Sequence, residues 1–308
     1  MEYLCYKIIP RSSFGTEPSS DSFFGQICYT LNLMGERLDD VYASYVTEPF
    51  IVVSSFFPMG YGLVPKIPKI VSNNIDIYSL SNRKKAKKLC YIKINDIVHS
   101  KSITNVSGSI WKTNVNTNIH VNIDRILGTT TEETATPYSL IDYDYKSIDS
   151  ENPFYFHVYV YVKDEWQEKV YKAMEYIGKY GYGKRASIGK GLYDIEEDFD
   201  YNINMNNITE TNAVYTLSNC ALYNINYGKV YYEPIVKFAK HGYNTYNIYN
   251  KNPYVLAQQG ALIYDINDKN IFKKIFIGRA VESISTIPTM TQGYSLYLPV
   301  KYSGENNG

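Results

Sequence analysis

Apolar positions at helical spacing mark three segments of the chain. Phe24, Ile27, Cys28 and Leu31 recur at i, i+3, i+4 and i+7, with Ser20 or Asp21 placed to cap the helix and Gly35 to interrupt it. Leu38, Val41, Tyr42 and Tyr45 repeat the spacing in a second, shorter helix. Trp166, Val170, Ala173, Met174 and Ile177 form the buried face of a third. Asp164 and Gln167 stand as its capping box, and Gly178 as its end. Alternating or continuous apolar runs predict strands from Tyr3 to Ile9, Phe50 to Val53 and Phe154 to Val162. Further strands are expected at Leu89 to Ile94, around Leu192-Tyr193, and at 213–217, 231–238, 274–280 and 294–300. Asn116 to Gly128 is strand-like, within a projecting excursion over 100–150, and 301–308 reads as a loose tail. Pro58, Pro65 and Pro68 mark an irregular segment.

Both halves open with strand, turn and helix, followed by more strands. That order predicts an α+β protein of two ferredoxin-like (RRM-like) units, with domains 1–152 and 153–308.

Charge narrows the chemistry. The chain carries 31 basic and 31 acidic side chains, which argues against bulk attraction to nucleic acid, so any polyanion site needs local segregation. Two basic segments supply it: Arg83 to Lys88, and the stretch Gly178 to Gly191. The latter holds five glycines, three lysines and an arginine with no acid between Tyr176 and Tyr193. The acidic run from Asp194 to Asp200 reads as a solvated turn. The four cysteines have no zinc or disulfide spacing, and no metal or cofactor is expected. The start of the chain lacks a signal-peptide layout and no apolar run of about 18 residues occurs, so a cytoplasmic protein without a membrane contact is expected.

The glycine-rich stretch superficially fits two nucleotide motifs. Gly181-x-Gly183-x-x-Ala186 matches a dinucleotide fingerprint, which needs a strand before it and a helix after it; here the order is reversed. Gly183 to Gly189-Lys190 has P-loop flavour, but the spacing is five residues and Gly191 replaces the hydroxyl residue that holds magnesium. A plain surface turn stays open. So does phosphodiester binding by backbone N–H groups with Lys184, Arg185 and Lys190. None of the four histidines pairs with another at metal spacing. His157 reads as structural, His120 lies near Arg125 in the excursion, and His120 or His241 is available as a general base.

Six short motifs, in order, carry a resemblance. They are Ser20-Asp21-x-Phe23-Phe24-Gly25; Ser54-Ser55-Phe56-Phe57-Pro58 with Leu63-Val64-Pro65-Lys66-Ile67-Pro68; Asn122-Ile123-Asp124-Arg125-x-x-Gly128; Gly181-x-Gly183-Lys184-Arg185-x-Ser187-x-Gly189-x-Gly191; Pro234-x-x-Lys237-Phe238; and Gln292-Gly293-Tyr294-Ser295-Leu296-x-Leu298-Pro299. Together they resemble the Cas-five-like branch of the repeat-associated mysterious protein (RAMP) superfamily, the family of subunit four of the type III-A CRISPR Csm complex. Leu127 stands where that family often has threonine, and 70–115 matches poorly.

The resemblance implies a non-catalytic, RNA-binding subunit of an antiviral ribonucleoprotein complex. It would bind the 5′ tag of the CRISPR RNA and cap that end. It would contact the guide–target RNA duplex, the large Cas-ten-like subunit and the adjacent backbone RAMP subunit. Residues 116–136 would form a β-hairpin thumb. Ser20, Asp21, Ser54, Ser55, His120, Arg125, Gly181, Gly183, Lys184, Arg185, Ser187, Gly189 and Lys190 are the expected RNA contacts. Phe14, Phe56 or Tyr61 would stack on splayed bases. A RAMP endoribonuclease that processes CRISPR repeats is the competing expectation.

Overall fold

A computed structural model describes residues 2–67, 89–103, 106–130, 136–149, 151, 153–205, 211–223, 228–241, 251–266, 269–282 and 289–302. The basic block Arg83 to Lys88, Pro68 and most of the expected tail lie outside the described residues.

The chain runs β1 (Glu2–Pro10), α1 (Ser20–Leu33), α2 (Asp39–Tyr45), β2 (Ile51–Val53), β3 (Phe57–Pro58), β4 (Tyr61–Leu63), β5 (Tyr91–Lys93), α3 (Ile94–Ser100) and β6 (Val106–Ser107). It continues through β7 (Trp111–His120), β8 (Tyr138–Ser147), β9 (Phe156–Val162), α4 (Gln167–Tyr180), β10 (Tyr193–Glu197) and β11 (Ile203–Asn204). The central sheet has the strand order β10-β1-β9-β2, every neighbour antiparallel, with β11 joined to β1 and β3 to β9. With α1 and α4 against one face, β1-α1-β2-β9-α4-β10 is a β-α-β-β-α-β unit. Residues 54–155 are inserted between its second and third strands.

The period-2 and period-3.6 patterns explain this packing. Along β1 the buried residues Tyr6 and Ile8 face the helices, and Tyr6 stacks against Tyr171 of α4 at 5.8 Å. Tyr3 and Cys5 face the other way, and the Tyr3 hydroxyl donates to the carbonyl of Ile275. Phe23, Phe24, Ile27, Cys28 and Leu31 are the buried stripe of α1. Its N-cap is Ser19, in extended conformation, so Ser20 and Asp21 sit inside the first turn instead of capping it. The expected capping box at Asp164 and Gln167 is replaced by a single 3-10 turn over Asp164–Trp166, and Trp166 packs on Phe50 at 4.9 Å. α4 also passes through Gly178, ending at Tyr180. A Cβ on Gly178 would strike the carbonyl and ring of Tyr193, so this glycine serves close helix–sheet approach.

The second half differs from the expected second copy. Beyond β11 come β12 (Ala213–Thr216), β13 (Lys229–Tyr231), β14 (Pro234–Lys237), β15 (Tyr254–Ala257), β16 (Leu262–Tyr264) and a strand at Tyr297–Val300. The order β13-β16-β12-(Tyr297–Val300) is antiparallel, β14 and β15 form a separate hairpin, and no α-helix occurs among the described residues of 211–302. The expected boundary at 152/153 falls between β8 and β9, and β9 hydrogen-bonds to β1 and β2. That cut would run through the central sheet. Both sheets share one apolar core, and the Tyr215 hydroxyl donates to the carbonyl of Leu63 in β4. No helix among the described residues is long and apolar enough to cross a membrane.

Candidate nucleic-acid interface

The glycine-rich stretch lies where the sequence puts it, between α4 and β10. Four of its glycines, Gly181, Gly183, Gly189 and Gly191, have positive φ, and so does Arg185 at +65°. Backbone that side chains rarely adopt is needed to fold the loop over Tyr182, whose ring is fully buried against Phe14, Phe23 and Phe56. The Tyr182 N–H donates to the carbonyl of Gly191, closing the loop at its base.

Most backbone donors expected to bind phosphate are spent on the protein. The Gly183 N–H donates to Gln26 Oε1 at 2.9 Å and the Lys184 N–H to Thr16 Oγ1 at 3.0 Å. The Gly191 N–H goes to the carbonyl of Ser13, that of Gly189 to Ala186, and those of Ile188 and Lys190 to Arg185. Gln26 Nε2 in turn donates to the carbonyl of Gly181. The loop is a preformed ridge whose outward chemistry comes mainly from side chains. Lys184 and Ser187 are exposed, and Lys184 makes no ion pair among the described residues.

Two of its cations meet a partner that sequence reasoning missed. β7 and β8 form a ten-pair antiparallel hairpin in which most β7 side chains are exposed. Asp142 of β8 is buried, and its Oδ1 accepts from Arg185 Nη1 at 3.0 Å while its Oδ2 lies 2.7 Å from Lys190 Nζ. Arg185 also donates to the carbonyl of Ile141, Lys190 to Ser13 Oγ, and Asn118 Nδ2 reaches Asp142 Oδ2 at 3.4 Å. Burial pushes the Asp142 carboxyl up, but Lys190 and Arg185 more than offset that and hold it below its usual value. Above this cluster is a groove of about 370 Å³ between hairpin and loop, walled by Asn118, Ile119, His120, Leu140 and Ile188. Cations at its floor and amide, imidazole and aliphatic groups on its sides suit a phosphorylated, partly apolar ligand such as a nucleotide.

Phe14, Ser54, Ser55 and Phe56 do not reach this groove. Phe14 is wholly enclosed by Tyr145, Phe156 and Tyr182, and Phe56 is buried against Phe23 and Phe156. Neither ring can stack on a base. Ser54 Oγ accepts from the Tyr159 N–H inside the core, and Ser55 is buried beside it. Ser20 and Asp21 are buried as well. Ser20 Oγ accepts from the Asn219 N–H, and Asp21 Oδ1 takes Asn219 Nδ2 at 3.0 Å and Lys237 Nζ at 3.2 Å. The start of α1 is thus a structural joint to the second half of the chain, with a carboxylate where an anion was expected.

His120 stacks on Tyr138 at the far end of the hairpin, and Arg125 lies in the tip. There Asp124 Oδ1 accepts from the N–H groups of Ile126 and Leu127, and Gly128 turns the chain at φ +67°. That is the physical reason for the Asp124-Arg125-x-x-Gly128 spacing. His241 Nδ1 bonds Thr289 Oγ1, and His157 Nε2 bonds Asp198 Oδ2. The three therefore belong to separate environments. Among the described residues no group of three His, Cys, Asp or Glu is placed to hold a metal ion.

The fold is similar to that of chains solved in CRISPR effector subcomplexes. One is a chain of the crystal structure of a Csm1–Csm4 cassette with pppApA, at TM-score 0.57 and 12% identity over 99% of this chain and 100% of that one. The same cassette with cA4 gives 0.58 and 13% over 98% of each. A chain of the Csm3–Csm4 subcomplex of the type III-A CRISPR-Cas interference complex gives 0.57 and 15% over 97% of this chain and 100% of that one. The likeness is one of fold along essentially the whole length. No family model matches the sequence, and no curated protein matches it.

Proposed function

We propose that this chain is a Csm4-type subunit of a cytoplasmic type III-A CRISPR effector complex. It acts without catalysis, holding the 5′ tag of the CRISPR RNA in the groove between loop and hairpin. The observation that carries this is the groove itself, lined by Arg185 and Lys190, with Lys184 exposed on the same loop. The whole-length fold likeness to two different Csm4-containing subcomplexes supports the assignment. The β-α-β-β-α-β unit is its ferredoxin-like RAMP domain, and the second sheet is a reduced counterpart. The β7/β8 hairpin is the thumb that crosses the guide–target duplex. The large Cas-ten-like subunit and the adjacent backbone RAMP subunit are the partners it bridges.

Co-purification from cells carrying the CRISPR locus tests the assignment. Short RNAs sharing one 5′ end, together with a large partner subunit, are expected. Lys184→Ala should lower the salt dependence of tagged-RNA binding by about 0.7 in log–log slope, one single-strand phosphate contact. Equal affinity for tagged and scrambled 5′ ends would remove tag recognition. Cleavage of repeat RNA that is lost in His120→Ala would replace the reading with the endoribonuclease.

A further inference from the structure

The geometry points to Asp142 as the positioning residue of the hairpin's outer half: its buried carboxylate fixes the projection of that half by engaging Arg185 and Lys190 of the glycine-rich loop at once. Among the described residues the hairpin joins no other sheet, and along most of its length β7 is exposed, so its own strand pairing cannot set its direction. Halfway along it, where Tyr143 lies opposite Val115, the main chain of Tyr143 pairs with Phe14 in both directions. That contact fixes one line. Toward the root Trp111 packs on Tyr61 and Tyr91, and Tyr145 on Phe154 and Phe156; beyond Tyr143, the side chain that ties the outer half of the hairpin to the loop is Asp142. Leaving either cation or the carboxylate alone in this buried place is unfavourable, so the three hold one another. The shared use has a second effect. Asp142 cancels part of the loop's charge, and the cluster keeps one net positive charge, leaving Lys184 as the loop cation that a ligand meets without competition. The mechanical role stands apart from the RNA reading; the division of labour among the cations rests on it.

Amide hydrogen exchange on the free, full-length protein tests this, comparing wild type with Asp142→Asn, with Asp142→Glu and with Arg185→Gln/Lys190→Gln. In Asp142→Asn and the double variant, exchange in β7 and β8 beyond Tyr143 should rise roughly tenfold, while α1, α4 and β1 stay as in wild type. Asp142→Glu, which keeps the charge, should recover most of the protection. Unchanged hairpin exchange in both charge-removing variants would overturn the proposal. So would a uniform rise across the molecule in both, because that marks a purely structural residue. Tagged guide RNA supplies the second arm. Asp142→Asn should steepen the salt dependence of binding, because it releases Arg185 and Lys190; an unchanged slope would overturn the division of labour. RNA that fails to bind the wild-type protein would remove the proposed function and leave the exchange result standing.

Discussion

The main-chain N–H of Phe14 donates to the carbonyl of Tyr143, and the N–H of Tyr143 donates back to the carbonyl of Phe14, both at 2.8 Å. Phe14 thereby behaves as a one-residue third strand on the hairpin while its ring fills the core below. Phe14→Ala should cost about 3–5 kcal/mol of stability, the range for a large aromatic removed from a packed interior. Urea unfolding gives this number directly. A variant of wild-type stability but reduced RNA affinity would instead return the ring to a stacking role.

Two glycines of the loop separate conformation from contact. Gly189 and Gly191 have φ of +81° and +74°, but a Cβ on Gly189 meets open space and one on Gly191 meets the Tyr182 backbone. Gly189→Ala should cost about 1 kcal/mol, the left-handed conformation alone. Gly191→Ala should cost more than about 2 kcal/mol, because the buried Tyr182 peptide must shift as well. The difference in thermal midpoint between the two variants measures the effect.

His157 makes stability fall in mild acid. Burial holds its imidazole below its ordinary value, against the opposing pull of Asp198. Nδ1 is buried without a partner beside Gly60, so a proton placed there would have no acceptor. A folded value below the unfolded one means the contribution is complete above about pH 6.5 and is lost as pH falls further, at up to about 1.4 kcal/mol per pH unit. Unfolding free energies from pH 8 to pH 5 should slope more steeply for wild type than for His157→Gln. Parallel slopes would show that the ring titrates alike in both states.

Asp124 preorganises the hairpin tip. Its carboxyl, held below the usual range by the Leu127 and Ile126 N–H groups, loses both bonds in Asp124→Ala. Protection of those two amides should vanish in NMR-detected exchange while the melting temperature stays unchanged, since the tip lies outside the core.

Local pattern revealed α1, α2, α4, β1 and β9, because each writes its buried face into its spacing. Long-range pairing was not legible. Phe154 to Val162 reads as the opening of a new unit, and nothing nearby says that Val158 lies opposite Tyr6. The aromatic and hydroxyl motifs misled for a related reason: Phe14, Phe56, Ser54 and Ser55 have residue types that serve a core joint as well as an RNA surface. Lys184, Arg185 and Lys190 were visible as a charge cluster. Asp142 was not, since one acid in the run Ile141-Asp142-Tyr143-Asp144 is marked only by which side of a twisted strand it occupies.

The hairpin's length acts as a ruler. Ten residues per strand at about 3.4 Å each give it a reach of roughly 34 Å. It belongs to the segment inserted between β2 and β9, so that reach can change without altering the strand order of the central sheet. Two residues added to each strand above Asp142 would advance the tip by about 7 Å and keep every side chain on its present face. One residue added to β8 between Asp142 and Tyr143 would turn the carboxylate away from the loop and uncouple measure from mount. Chains of this fold are therefore expected to vary in span by pairs of residues, with the acid near the hairpin's midpoint held at a constant distance from the base.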